Sequence, residues 1–291
     1  MQLRYDLMRT AGDAIIAAMP TRRRLLAASL TALVASPAAW SQQRRSLSDP
    51  LRLGVDPALL DSGLARALQH AFGRDTGVAV QLVRSPALPL LEALDRGEFD
   101  AALANAPDAE AKLDRQGLVH DRRPIASGEF VIVGPAPRGK LRDPAGLAGG
   151  RSVAEALVRL RDAALAAPGT IAFVSPGDGS GTHAAEQAAW REAKIAPAAP
   201  WYAAVERGTG LIAQARARGA YALVERGAWL AQGGAPLAVL VEGDPLLAEP
   251  VHVMRAFRVN HPAGKIFVSW IAGPKGRRAV AAQRGYRVPG G

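Results

Sequence analysis

The sequence predicts an α/β protein of two lobes, each a mainly parallel sheet flanked by helices. Three observations carry that expectation. Short apolar runs alternate with amphipathic runs of helical period along most of the chain. The alternation restarts midway, the pattern of a second α/β unit inserted into the first. A hydrophobic fraction of 49% in 291 residues is enough to bury a real core.

The elements follow in order. "LRLGV", from Leu51, is a short strand, and "DSGLARALQHAFGRDTG" is an amphipathic helix with Leu64, Leu68 and Phe72 on one face and Gly73 close to its end. "VAVQLV" and "DAALANA" are strands around the helix "ALPLLEALDRGEF", and Pro107 opens the next helix, "PDAEAKLDRQGL". "EFVIVGPA" is a strongly apolar strand, followed by a loop and the helix "RSVAEALVRLRDAAL". The second set runs "TIAFV", a Gly-rich turn, a helix to Lys194, "WYAAV", the turn "ERGTG", the helix "LIAQARARG" and the strand "AYALVE". "EPVHVMRAFRVN" is a last strand, and "GKIFVSWIAGPKGRRAVAAQRGYRV" a closing helix. After a polar leader over 42–50, this assigns residues 51–129 and 250–291 to the first lobe and 130–249 to the second.

Residues 1–41 read as an export signal rather than as fold. From Met19, the probable true start by this reading, Arg22, Arg23 and Arg24 precede the apolar stretch Leu25 to Val34, and Ala39-Trp40-Ser41 supplies a small-x-small cleavage site. "TRRRLLA" suits either the general secretory or the twin-arginine route. The apolar stretch is short for a membrane span. Both routes place the mature protein in the periplasm.

Of the 36 basic and 26 acidic residues, five arginines and two aspartates lie within 1–41, which leaves the mature chain near +7. The basic residues are scattered and aromatics make up only 5%, so the pattern argues against a nucleic-acid footprint. The absence of cysteine excludes disulfides, thiolate metal sites and cysteine catalysis. The five histidines show no metal spacing, and His252 and His261 are read as core or surface residues. No cofactor loop of the Walker type is present. "GDGSGTH" is not a Gly-x-Ser-x-Gly elbow, and His183, three residues from Ser180, has no identifiable carboxylate partner, so the sequence argues against an enzyme.

"SPGDGSGTH", Ser175 to His183, is the stretch that chemistry singles out. Backbone N–H groups at a helix start lack partners within the helix and sit at the positive end of its dipole, and glycines let an anion approach them. Ser175, Ser180, Gly181 and Thr182 supply hydroxyls and amides for such a site, although Ser180 as a plain N-cap explains the same pattern. "ERGTG" repeats the arrangement one β/α unit later, with Arg207, Gly208 and Thr209. In a parallel sheet both turns emerge at the same edge. Trp190, Trp201 and Tyr202 suit either a cleft or a core, the core being the better reading for Trp190.

"FVSPGDGSGTHAAEQAAW", "WYAAVERGTGLIAQARARGAYALVERGAWLA", "VLVEGDPLLAEP" and "RRPIASGEFVIVGP" resemble successive blocks of the tungstate-binding proteins that feed ABC importers. The resemblance runs from about Leu51 to the C-terminus. It implies a type II periplasmic-binding-protein-like fold, a ligand cleft between the lobes, a small oxyanion such as tungstate or molybdate as ligand, a permease and an ATPase as partners, and a monomeric binding protein without cofactor or metal.

The departures fall in the first lobe. Where the resemblance implies a Thr-Thr-Thr-Ser run, this chain has "VDPALL", with Asp56 in place of hydroxyls, and a Gly-Thr-Gly stretch is replaced by "RSPAL". Pro176 stands where the second lobe's blocks imply an arginine. Charge-assisted hydrogen bonds contribute about 1.5–3 kcal/mol each, so three lost contacts weaken a nanomolar site to micromolar or beyond. Asp56, Ser62 and Ser85 remain as candidates for the first-lobe wall. Asp56 can repel an oxyanion, cap the first helix, or recognise a cationic group. The alternative functions are a periplasmic sensor or interaction protein of the same fold, and an organic-acid binder using Asp56 with Arg207 or Arg84.

Overall fold

The computed structural model describes residues 46–137, 143–206 and 209–290. The export-signal reading of residues 1–41 and the candidate site residues Arg207 and Gly208 lie outside them. β1 (Leu51–Val55) presents Leu51, Leu53 and Val55 to the interior. α1 (Pro57–Asp61) and α2 (Leu64–Thr76) follow as two helices, because Gly63 between them takes a left-handed conformation that ends the first. β2 (Val80–Arg84), α3 (Ala87–Asp95), β3 (Ala101–Ala104) and α4 (Pro107–Arg115) complete a parallel set in the order β2-β1-β3. α3 lies close against β1, and a Cβ on Gly54 would stand 2.1 Å from Leu90 Cδ1.

β4 (Val119–Pro135) is longer than the apolar run alone predicts. Its polar first half, "VHDRRPIASG", is held in strand form by antiparallel pairing along β9 (Ala248–Ala256), with two register shifts that accommodate the irregular segment. Between them come α5 (Val153–Ala166), β5 (Phe173–Ser175), α6 (Gly181–Glu192), β6 (Tyr202–Ala204), α7 (Leu211–Arg218), β7 (Ala222–Glu225), α8 (Arg226–Gln232) and β8 (Leu237–Val241). The closing helix is two helices, α9 (Pro262–Ala272) and α10 (Pro274–Ala281), broken at Pro274, whose ring nitrogen has no hydrogen to donate.

The result is a mixed α/β fold. The parallel set β2-β1-β3 continues through the antiparallel strands β9 and β4 to β7, while β5 and β6 form a separate two-stranded parallel sheet. β4 pairs with β9 as far as Glu129 and with β7 from Phe130 onward, so one strand belongs to both groups of strands. Separate apolar cores form on the two stretches. One is built around Leu51, Phe72 and Phe267, the other around Phe130, Trp190 and Tyr221. Among the described residues no helix is long and apolar enough to cross a membrane.

Candidate functional site

A cleft of about 740 Å³ lies where the ends of β1 and β2 face the starts of α6 and α7. Pro57, Asp61, Arg66 and Arg84 line it from one side, and Ser180, Thr182, Thr209 and Glu225 from the other. The structure thus brings three of the predicted hydroxyls together. Thr209 is exposed, and its N–H donates to the Glu206 carbonyl at 3.1 Å.

The start of α6 is already well supplied with partners. Ser180 is its N-cap, its Oγ accepting from the His183 N–H at 3.2 Å. The Ser180 N–H donates to Asp178 Oδ1 at 2.9 Å, and the Gly181 N–H donates to Asp56 Oδ2 at 3.0 Å. The Thr182 hydroxyl donates to Glu225. The anion-binding donors of this helix therefore meet carboxylates of the chain itself. His183 reaches Ser180 only through its backbone and takes the Gly179 N–H on Nδ1 at 3.1 Å, so its ring is not placed as a base for that hydroxyl.

Asp56 does two things. Its Oδ1 accepts from the Ala58 N–H at 3.2 Å and so caps α1, while Oδ2 reaches across to α6. It is fully buried, and burial pushes its carboxyl up to about 7 against the opposing pull of the Gly181 and Ala58 amides, with Asp178 adding repulsion. Two more buried carboxyls stand nearby. Glu225 is held well above the carboxylate range by burial, then by Glu249 and Asp56, and burial pushes Glu249 to about 8 although Asn105 Nδ2 donates to its Oε1 at 2.9 Å. Gly181 is required here. A Cβ would stand 1.9 Å from Asn105 Oδ1 and 2.9 Å from the Asn105 carbonyl.

Other predicted wall residues face elsewhere. Ser62 is buried and accepts from the Tyr286 hydroxyl at 3.0 Å, with its own hydroxyl 3.3 Å from the Leu59 carbonyl, so it belongs to the interior and not to the cleft. Ser85 is half-buried, with its hydroxyl 3.5 Å from the neighbouring Pro86 carbonyl. Ser175 is 1% exposed. Its hydroxyl lies beside Glu186 and Tyr202 and favours their ionised forms, yet it makes no hydrogen bond of good geometry. It sits behind the turn, among buried aromatics. Trp190 and Tyr202 both donate to Glu186 Oε1, at 3.0 and 2.7 Å, and pack on Phe173, Trp190 edge-on and Tyr202 stacked. His252 and His261 are likewise buried, His261 as the cap of α9 and His252 beside Glu110. Among the described residues no group of three or more His, Asp or Glu is placed to hold a metal ion.

The sequence profile described as "PBP superfamily domain" matches residues 42–275. This chain belongs to the PBP superfamily. Three relatives similar to it are named as binding proteins. The tungstate-binding protein TupA of Peptoclostridium acidaminophilum is 27% identical over 266 residues, covering 88% of this chain and 89% of that one. A Haloferax volcanii protein provisionally named as an ABC transporter anion-binding protein is 30% identical over 243 residues, covering 79% of this chain and 68% of its own. Among solved structures, the tungstate ABC transporter protein from Geobacter sulfurreducens superposes with a TM-score of 0.68 at 29% identity, covering 80% of this chain and 98% of that one. This member of the superfamily is thus similar to tungstate-binding proteins over nearly their whole length.

Glu225, which lines the cleft, and the buried Glu249 and Asn105 near Asp56 and Gly181 are the residues that sequence reasoning missed. Only Glu225 left a signal, as an acid closing the apolar strand "AYALVE".

Proposed function

We propose that this protein is the extracytoplasmic solute-binding component of an ABC importer and that it takes a small oxyanion of the tungstate or molybdate type in the cleft. The observation that carries this reading is the convergence of Ser180, Thr182 and Thr209 at the starts of α6 and α7 on one cleft. Helix N-termini and hydroxyls suit an anion and need no cofactor. The similarity to TupA and to the Geobacter protein supports the ligand class. In this reading residues 51–129 with 250–291 form one lobe and 130–249 the other. The change of partner along β4 at Glu129 and Phe130 supports that division. Closure of the lobes on ligand presents the monomer to a permease and its ATPase, and residues 1–41 direct export to the periplasm.

Neither alternative gains support. The organic-acid reading needs Asp56 with Arg207 or Arg84 free to face a ligand, but Asp56 is engaged by α1 and α6, Arg84 pairs with Asp61, and Arg207 lies outside the described residues. The sensor reading has no counterpart among the relatives named above.

The test is a thermal-unfolding panel with tungstate, molybdate, sulfate and phosphate. A ligand at about 100 times its Kd adds roughly 2.7 kcal/mol, or about 5–10 °C for a protein of this size. A shift confined to one or two oxyanions supports the proposal, and no shift with any of them refutes it.

A further inference from the structure

We propose that Asp56 is a tethered competitor for the oxyanion, its carboxylate filling the start of α6 in the ligand-free protein and yielding either that place or its charge when an anion binds. The inference rests on the oxyanion reading of the cleft and adds a regulation of that same site.

Three observations lead to it. The Asp56 Oδ2 to Gly181 N distance is 3.0 Å, so the carboxylate takes up the amide that lies between Ser180 and Thr182, the two residues of this helix start that line the cleft. The contact joins the end of β1 to the start of a 12-residue helix, 125 residues apart in sequence, so it is a tertiary link and not a local turn. Asn105 Oδ1, buried and without a hydrogen-bond partner, lies against Gly181, where an added Cβ would stand 1.9 Å from it, so the start of α6 is closely packed around the residue that Asp56 holds.

Charge decides the outcome. A second anion at this helix start meets Asp178 on the preceding turn, Glu225 at the end of β7 and Glu249 on β9, all of which act on Asp56 or on each other. Tyr286 adds a neutral hydroxyl. Among the described residues, the cations lining the cleft are Arg66 on α2 and Arg84 on β2, the latter paired with Asp61. His183, on α6, uses Nδ1 as an acceptor. The neighbourhood is acidic, so an ionised Asp56 and an oxyanion oppose each other strongly, and the anion binds best to the form in which Asp56 carries a proton. With that proton held up to about pH 7, affinity follows the protonated fraction and falls about tenfold from pH 6 to pH 8.

The experiment is calorimetric titration of the purified protein with molybdate, which remains a dianion over this range, at pH 6 and pH 8. It is run on the native sequence, on Asp56→Asn and on Asp56→Ser. Asparagine and serine both keep an acceptor for the Ala58 N–H, so α1 stays capped even if one variant folds poorly. The expected result is about tenfold weaker binding at pH 8 than at pH 6 for the native protein and a smaller pH dependence for the variants, in which Glu249 still titrates near the top of this range. The variants should match the native protein at pH 6 and exceed it about tenfold at pH 8. Equal affinity of native and variant proteins at both pH values overturns the competitor and leaves the oxyanion reading standing. No binding by any of the three at either pH overturns the oxyanion reading and the competitor with it.

Discussion

Replacing Glu249 by glutamine should stabilise the protein above neutral pH and change little in acid. Glu249 is fully buried, with Oε1 held by Asn105 and Oε2 without a partner. Oε2 lies hard against Gly128, where a Cβ would stand only 2.2 Å away. Burial raises the carboxyl from its ordinary 4.5 to about 8, the Asn105 bond opposing and the Asp56 charge reinforcing the rise. A carboxyl with a raised folded-state pKa binds its proton more tightly in the native protein. Its stabilising contribution is therefore complete below about pH 4.5 and is lost as the pH rises towards 8.

The gap between 4.5 and about 8 sets a ceiling of roughly 5 kcal/mol at about 1.4 kcal/mol per pH unit. Between pH 5 and pH 8 the native protein should lose about 3 kcal/mol of this through Glu249 alone. Glutamine copies the neutral acid in shape, keeps an acceptor for Asn105 Nδ2, and cannot ionise. Urea unfolding at the two pH values should find Glu249→Gln within about 1 kcal/mol of the native protein at pH 5 and about 3 kcal/mol more stable at pH 8, a midpoint difference of roughly 6–12 °C on heating. Equal pH dependence of the two proteins would show that Glu249 titrates as an ordinary carboxyl, and the buried acidic cluster would be refuted with it.

Substitutions at two further positions probe the start of α6. Gly181→Ala should cost about 2 kcal/mol in urea unfolding, because the new methyl meets both the side chain and the carbonyl of Asn105, whose amide is already committed to Glu249; unchanged or greater stability would contradict the packing. Ser180→Ala should cost about 1 kcal/mol through the lost cap, whereas Ser180→Gly should cost only a few tenths. Both should weaken oxyanion binding about tenfold or more, since the Ser180 O–H remains available to the cleft, and titration of the glycine variant at native affinity would take Ser180 out of the site.

What was legible in the sequence was whatever depends on near neighbours. Leu51, Leu53 and Val55 alternate along a strand, Leu64, Leu68 and Phe72 recur along a helix, and Ser180 precedes a helix three residues from the amide it caps. Asp56 ahead of Pro57 was readable as a cap for the same reason. The acidic cluster was not readable. Asn105 and Glu249 are 144 residues apart and meet because β3 pairs with β9, and Thr182 and Glu225, 43 apart, meet because α6 packs on β7. The first half of β4 stayed hidden because its strand form comes from pairing with β9, while its sequence "HDRRP" has the composition of a loop. Ser62 failed as a wall residue for a similar reason, since Tyr286 from the C-terminal end claims its hydroxyl.

Asp56 changes meaning between the two levels of description. In the sequence it is a lost hydroxyl run and a weaker anion site. In the structure it is a link between the end of β1 and the start of α6, reinforced nearby by the Leu88 N–H donating to the Gly179 carbonyl at 2.9 Å. A binding protein reports its ligand through the difference in free energy that the ligand makes between open and closed arrangements. A carboxylate already seated on α6 contributes part of that difference without ligand, so an incoming oxyanion gains only what exceeds it. Removing the charge at position 56 should therefore both tighten the site and enlarge the conformational response to anion. A tighter site with an unchanged response would instead assign Asp56 to electrostatics alone.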